Sequence, residues 1–108
     1  HDAIYAAVSH LPHILSYALM ASVLNSEDAE QKLGHAGAGF RDFTRIAASS
    51  PEMWRDICIA NKQAILKELD QYLNITQRLR EMIAKEDTDG LEKVFQKASQ
   101  ARQQWDES

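Results

Sequence analysis

The sequence predicts an all-α fold, and three observations support this. Apolar residues recur at three- and four-residue spacing through most of the chain, which is the periodicity of a helix packed on one side. Serine, aspartate or proline residues typical of helix starts precede the later runs. No alternating run is long enough to predict a strand. With 108 residues the chain can bury one core, so we expect a single domain over residues 1–108.

The first predicted helix runs from Asp2 to Leu24 and carries few charged residues. A helix with so little polar surface must be covered on most sides. A chain of 108 residues is barely large enough to cover it, so we expect it to be mostly buried with help from a partner subunit. Pro12 lacks a backbone N–H, so it predicts an interruption and a kink near His10 and His13.

A short helix is predicted after a glycine-rich loop at residues 34–39, and a new helix begins near residue 50. Ser50 followed by Pro51 combines a capping hydroxyl with a residue that has no N–H to leave unpaired. Ser49 with Glu52 offers an alternative capping box. The loop lacks the lysine of a phosphate-binding loop and follows no strand, so a nucleotide cradle is not expected.

Two further helices are predicted, one from about residue 51 to 85 and one that Asp87 or Thr88 caps. Their apolar residues recur with the spacing of helices that pack against helices. The expected inward residues of the two helices are Trp54, Ile57, Ile65, Leu69, Tyr72, Leu79, Ile83, Leu91, Val94, Phe95, Ala98 and Trp105.

Composition excludes several classes of function. Twelve basic and 16 acidic residues give a net charge of -4, which argues against a nucleic-acid surface. Cys58 has no second cysteine to pair with, so a reducing compartment is expected. We expect no membrane span and no signal peptide, and therefore a cytoplasmic protein. The absence of an initiator methionine before His1 suggests a piece of a longer polypeptide.

Arg41 and Arg45 lie one helical turn apart beside the predicted break. Arg45 stands between apolar residues and a capped helix, so we expect it to be held against packed surface and to bind a carboxylate in two-pronged fashion. The alternative is an ordinary surface arginine paired with Asp42, Glu30 or Glu52. Such a pair contributes little stability and indicates no ligand.

His10 and His13 project from one side of the first helix, and three roles are open to them. They could ligate a metal, but a third ligand is needed and no known ligand motif is present. They could be hydrogen-bonded core residues, or they could contact an anionic or hydroxylated ligand. Trp54 is more often core than ligand contact, and no nucleophilic triad can be assembled.

Two blocks of sequence resemble the C-terminal helical domain of the prephenate and arogenate dehydrogenases. One comprises residues 1–2 with the motif Ser-His-Leu-Pro-His at 9–13. The other comprises residues 39–48 with the motif Pro-x-Met-Trp at 51–54. The resemblance covers most of residues 1–65, whereas the remainder matches only in helical character.

The resemblance implies a dimerisation domain of the 6-phosphogluconate-dehydrogenase C-terminal-like type, joined to an N-terminal Rossmann domain that binds NAD or NADP. It also implies a homodimer that oxidatively decarboxylates prephenate, or arogenate, on the route to tyrosine. The catalytic base is expected in the nucleotide domain and not in this chain.

By the same resemblance, Arg45 corresponds to an arginine that binds a substrate carboxylate. His13 and then His10 correspond to polar substrate contacts, and Trp54 to a tryptophan near the pocket. Asp2, Arg41 and Asp42 correspond to a supporting polar network at the entrance. The rival hypothesis is a structural oligomerisation module without a ligand site.

Overall fold

The computed structural model describes residues 2–107 and confirms the all-α class, with no strand in that range. Contacts divide the chain into two compact units, one ending at Leu69 and one starting at Asp70. The elements are α1 (Asp2–Tyr5), a π-helical turn (Ala6–His10), α2 (Leu11–Leu24), α3 (Ala29–Gly34), α4 (Ala38–Thr44), a 3-10 turn (Arg45–Ala47), α5 (Pro51–Ala60), α6 (Lys62–Ala84) and α7 (Thr88–Glu107).

The N-terminal helix, Asp2–Leu24, is continuous, so the predicted interruption at Pro12 is wrong. Just before the proline the helix widens into the π-helical turn, in which the Leu11 amide donates to the carbonyl of Ala6, five residues back. A π turn changes the hydrogen-bond register by one residue, so the helix continues through a position where proline supplies no donor. His10 is the last residue of this turn.

The chain itself does not supply the burial expected for the N-terminal helix. Only Ala6, Leu11 and Ser16 are buried along it, whereas Ile4 and Val8 are 64% and 69% exposed. Its length and a mean hydropathy of 1.3 are sufficient for a membrane span on those two criteria alone. A helix that a second protein surface covers has the same composition.

The predicted glycine-rich loop is shorter than expected, because α4 already begins at Ala38 and includes Gly39. None of the glycines has a positive φ. A Cβ added at Gly34, Gly37 or Gly39 would meet nothing within 4 Å. No other part of the described chain therefore packs closely against these three glycines.

The helix start near residue 50 is confirmed, and the structure decides between the two capping alternatives. The Ser50 hydroxyl accepts a hydrogen bond from the Met53 amide at 3.2 Å, with Pro51 in the first turn. The Ser49 hydroxyl instead donates to the carbonyl of Ile46 at 2.6 Å. Ser50 is the cap, and the Ser49 capping box is not formed.

The helix predicted from 51 to 85 is divided at Asn61 into α5 and α6. Asn61 has φ −112° and ψ 34°, outside helical values, and asparagine is a weak helix former. The start of α7 follows the prediction, since the Asp87 carboxylate accepts from the Gly90 amide at 2.9 Å.

Much of the apolar face predicted for the helices after residue 50 is not buried within the chain. Trp54 and Ile65 are buried, but Ile83 is 64% and Phe95 is 55% exposed. The inward placement predicted for Phe95 and Trp105 is therefore wrong for a single chain. The reason is size, because a chain this short has too little apolar surface of its own to cover helices this long.

Candidate functional site

Three of the predicted site residues come together around one buried indole. The imidazole of His13 stacks on Trp54, with 3.8 Å between ring centroids and 16° between planes. His10 meets the same indole edge-on, at 5.9 Å and 78°. Trp54 is only 8% exposed, so this contact joins α5 to the N-terminal helix in the interior of the first unit. The aromatic cluster His10–His13–Trp54 is the centre of the candidate site.

The stacked histidine is oriented by its own helix. The Nδ1 atom of His13 lies 2.9 Å from the carbonyl oxygen of Ser9, one turn earlier. A carbonyl can only accept, so the hydrogen lies on Nδ1. The Nε2 atom of His13 has no partner within residues 2–107 and remains available to a ligand.

Asn61 completes the cluster. Its amide nitrogen lies 3.0 Å from the backbone oxygen of Asp2 and 3.1 Å from Nδ1 of His10. Asp2, predicted to support the site, therefore takes part through its backbone. The sequence reasoning assigned no role to Asn61, although an asparagine inside a long predicted helix is a signal of a local break.

Two hydrogen bonds fix the arginine-bearing segment against α2. The Ser16 hydroxyl, fully buried, donates to the carbonyl of Phe43 at 2.9 Å. The Tyr17 hydroxyl donates to the carbonyl of Ser49 at 3.2 Å. Arg45 lies between these two anchored backbone positions, so its backbone is fixed against α2. Its side chain is exposed.

Arg41, Asp42 and Arg45 all remain exposed, so the expectation that Arg45 is held against packed surface is wrong for this chain. Arg45 opens a three-residue 3-10 turn, and so short an element has little surface to lay over a side chain. Within the described part of the chain neither arginine forms an ion pair, so the surface pairs with Asp42, Glu30 or Glu52 are not formed either. Both guanidinium groups therefore have their donors available.

A cavity of about 310 Å³ adjoins the aromatic cluster and is lined by Ile14, Tyr17, Pro51, Trp54, Arg55 and Cys58. Its wall is largely apolar and aromatic. The indole Nε1 of Trp54 is buried and finds no partner among the residues that the structure describes. No three His, Cys, Asp or Glu side chains of residues 2–107 are grouped to hold a metal ion.

The fold and the site together define an all-helical domain that leaves large apolar side chains exposed and holds a histidine–tryptophan cluster. Arg41 and Arg45 of the same domain are exposed. A family model described as "Prephenate dehydrogenase, dimerization domain" matches residues 1–97. The chain belongs to this family.

Characterised relatives are similar over nearly the whole chain but are much longer. A prephenate dehydrogenase of Bacillus subtilis is 38% identical over 103 residues, which are 94% of this chain and 28% of the relative. A cyclohexadienyl dehydrogenase of Zymomonas mobilis is 38% identical over 104 residues, which are 94% of this chain and 36% of the relative. The chain thus spans about a third of the length of these relatives.

Solved structures agree with the fold. An arogenate dehydrogenase of Synechocystis superposes with a TM-score of 0.90 at 28% identity, over 97% of this chain and 39% of that one. A prephenate dehydrogenase of A. aeolicus, in complex with hydroxyphenyl propionate and NAD+, superposes with a TM-score of 0.89 at 34% identity, over 96% and 37%.

Proposed function

We propose that this chain is the dimerisation and substrate-binding part of an NAD(P)-dependent dehydrogenase that oxidatively decarboxylates prephenate or arogenate in the cytoplasm. The observation that carries the proposal is the aromatic cluster, which places His10 and His13 on one buried indole within a domain of this family. A structural module needs neither the ring nitrogen that His13 leaves unpaired nor exposed guanidinium groups without an ion pair among residues 2–107, such as those of Arg41 and Arg45.

In this proposal each side chain binds or orients the substrate. Arg45 holds a carboxylate of the substrate through paired N–H donors. His13 and His10 contact its polar groups, and Trp54 keeps the two imidazoles in place. Arg41, Asp42 and Asp2 support the entrance. Fixing a substrate in one orientation lowers the barrier of a step carried out by groups elsewhere in the enzyme.

The residues of this chain do not fit a dinucleotide. The described residues contain no strand, and their glycines neither adopt positive φ nor approach another backbone closely. The cofactor, NAD or NADP, and the catalytic base are accordingly assigned to a Rossmann domain outside this chain. The A. aeolicus relative was solved with NAD+.

We expect the 108-residue chain alone to form a homodimer and to lack dehydrogenase activity. The exposed apolar side chains of α6 and α7, such as Ile83 and Phe95, supply the surface that a second copy would bury. Phe95→Glu is expected to weaken the dimer at least about tenfold, because a carboxylate would be desolvated in an apolar contact. Analytical ultracentrifugation measures the dissociation constant.

Gln100→Glu is the matched control, since it adds the same charge to α7 at an exposed polar position. It should leave the dissociation constant nearly unchanged. A monomeric parent chain, or equal weakening by both substitutions, would show that the apolar face of α7 is not the interface.

His13→Ala separates the enzyme proposal from the structural module. In the full-length dehydrogenase we expect the KM for prephenate to rise about tenfold, the equivalent of one lost hydrogen bond to the substrate. Steady-state kinetics with prephenate measures this. His35→Ala is the control, because His35 makes the same type of bond, from Nδ1 to the Gln31 carbonyl at 2.9 Å, without contacting an indole.

A structural module would give a different pattern. His13→Ala would then lower the melting temperature or weaken the dimer while KM stayed at the parent value. That result would withdraw His13 from the substrate site.

A further inference from the structure

The amide of Asn61 has one possible orientation in this structure. Its nitrogen lies 3.0 Å from the backbone oxygen of Asp2, which can only accept a hydrogen bond. The group facing that oxygen must therefore be the NH2 and not the amide oxygen. The assignment rests on the chemistry of the partner, so it does not depend on distinguishing nitrogen from oxygen by position.

The same NH2 group decides the tautomer of His10. One of its hydrogens is used by Asp2, and the other points to Nδ1 of His10 at 3.1 Å. Nδ1 must therefore present a lone pair, and the hydrogen of the neutral imidazole lies on Nε2. His10 consequently offers a donor at Nε2. Neutral His13 offers an acceptor there, because its hydrogen is on Nδ1 and is donated to the Ser9 carbonyl.

Two irregularities of the backbone make this contact possible. His10 ends the π-helical turn, and Asn61 occupies the break between α5 and α6. Both residues are half-buried, and the His10 and Trp54 rings meet in a T-shaped contact with 5.9 Å between centroids, which restricts rotation of the imidazole. An imidazole held on one side by an indole and on another by a fixed amide has its tautomer and ring orientation determined together.

We propose that Asn61 is a positioning residue that holds His10 as the Nε2–H tautomer, so that His10 donates a hydrogen bond to an oxygen of the bound substrate. The tautomer assignment follows from the contacts of Asn61 alone. Donation to substrate rests in addition on the proposed function.

The tautomer is tested on the chain itself by two-bond proton–nitrogen NMR of 15N-labelled histidine. The pH is raised until the histidine pattern no longer changes, so that both rings are observed in the neutral form. We expect His10 to carry its hydrogen on Nε2 and His13 to carry it on Nδ1. A His10 resonance pattern with the hydrogen on Nδ1, or an equal mixture of both forms, would overturn the inference without needing any variant.

Asn61→Asp should reverse the tautomer, because a carboxylate in place of the NH2 accepts from Nδ1. Asn74→Asp makes the same change at an exposed position of α6 and should alter nothing at His10. The carboxylate of Asn61→Asp would also face the Asp2 carbonyl, so Asn61→Ala serves if that variant does not fold. The alanine variant should give a mixture of tautomers at His10 with His35 unchanged. An unchanged His10 in either folded variant contradicts the proposal.

The substrate contact is tested in the full-length dehydrogenase with Asn61→Ala. We expect the KM for prephenate to rise about tenfold with kcat nearly constant, since a misplaced donor weakens binding without touching the base. A tautomer change with unaltered KM would remove His10 from the substrate site while leaving the role of Asn61 intact. Failure of the tautomer assignment, seen by NMR, is therefore distinguishable from failure of the substrate contact, seen in KM.

Discussion

Arg45→Ala in the full-length dehydrogenase is expected to lower kcat/KM for prephenate by roughly 10- to 100-fold, mainly through KM. A charge-assisted hydrogen bond is worth about 1.5–3 kcal/mol, and each 1.4 kcal/mol corresponds to a factor of ten. Arg45 is exposed and makes no ion pair within residues 2–107, so its removal leaves no partner unsatisfied in the protein. The loss should therefore appear in substrate binding and not in the free energy of unfolding.

Arg45→Lys tests the geometry of that contact. Lysine keeps the charge but loses the planar pair of N–H donors, so we expect it to recover only part of the lost affinity. Arg41→Ala is the comparison for a simple change in net charge, because Arg41 lies one turn earlier and is equally exposed. Steady-state kinetics on the three variants gives the answer. Near-parent KM and kcat for Arg45→Ala would take this residue out of the site.

Trp54→Ala is expected to lower the free energy of unfolding by about 3–5 kcal/mol, the usual cost of removing a buried large aromatic residue. The effect is large here because few side chains of the described chain are buried, and Trp54 is the largest of them. Denaturant unfolding of the 108-residue chain, at a concentration where it is dimeric, measures the loss.

Trp54→Phe is the matched variant, and its effect on stability depends on whether the indole nitrogen makes a hydrogen bond. Nε1 has no hydrogen-bond partner among the described residues, so phenylalanine removes ring surface without breaking a bond. We expect a cost below about 1.5 kcal/mol, with stacking on His13 retained. If Trp54→Phe lowers the free energy of unfolding as much as Trp54→Ala does, Nε1 has a hydrogen-bond partner in solution. That result would contradict an unpaired indole nitrogen.

Local chemistry explains what was predictable from the sequence. The Ser50 and Asp87 caps depend on side chains that bond backbone groups three residues away, so their positions can be recognised without knowing the rest of the fold. The helical class follows in the same way from the spacing of apolar residues along the chain. The positions of His10, His13 and Trp54 in a common site were suggested by family resemblance, and the structure brings the three rings together.

The departures have one local and one long-range cause. Pro12 should interrupt a helix, but a π turn before it preserves continuity. Asn61 divides a helix that the apolar pattern predicts to be continuous. At this break the Asn61 amide contacts Asp2 and His10, which lie 59 and 51 positions earlier in the chain. Such contacts are invisible to periodicity, because periodicity reports only which face of an element is apolar.

The sequence by itself determined the helical class, the helix start near residue 50, the family resemblance and the excess of apolar surface for a chain of this length. Only the tertiary structure decided that Asn61 orients His10, that Trp54 contacts two imidazoles, and that Arg45 stays exposed and unpaired. The physical reason is the separation along the chain between the residues that interact. Helix formation and capping depend on neighbours within about four residues, whereas a site depends on which helix faces meet.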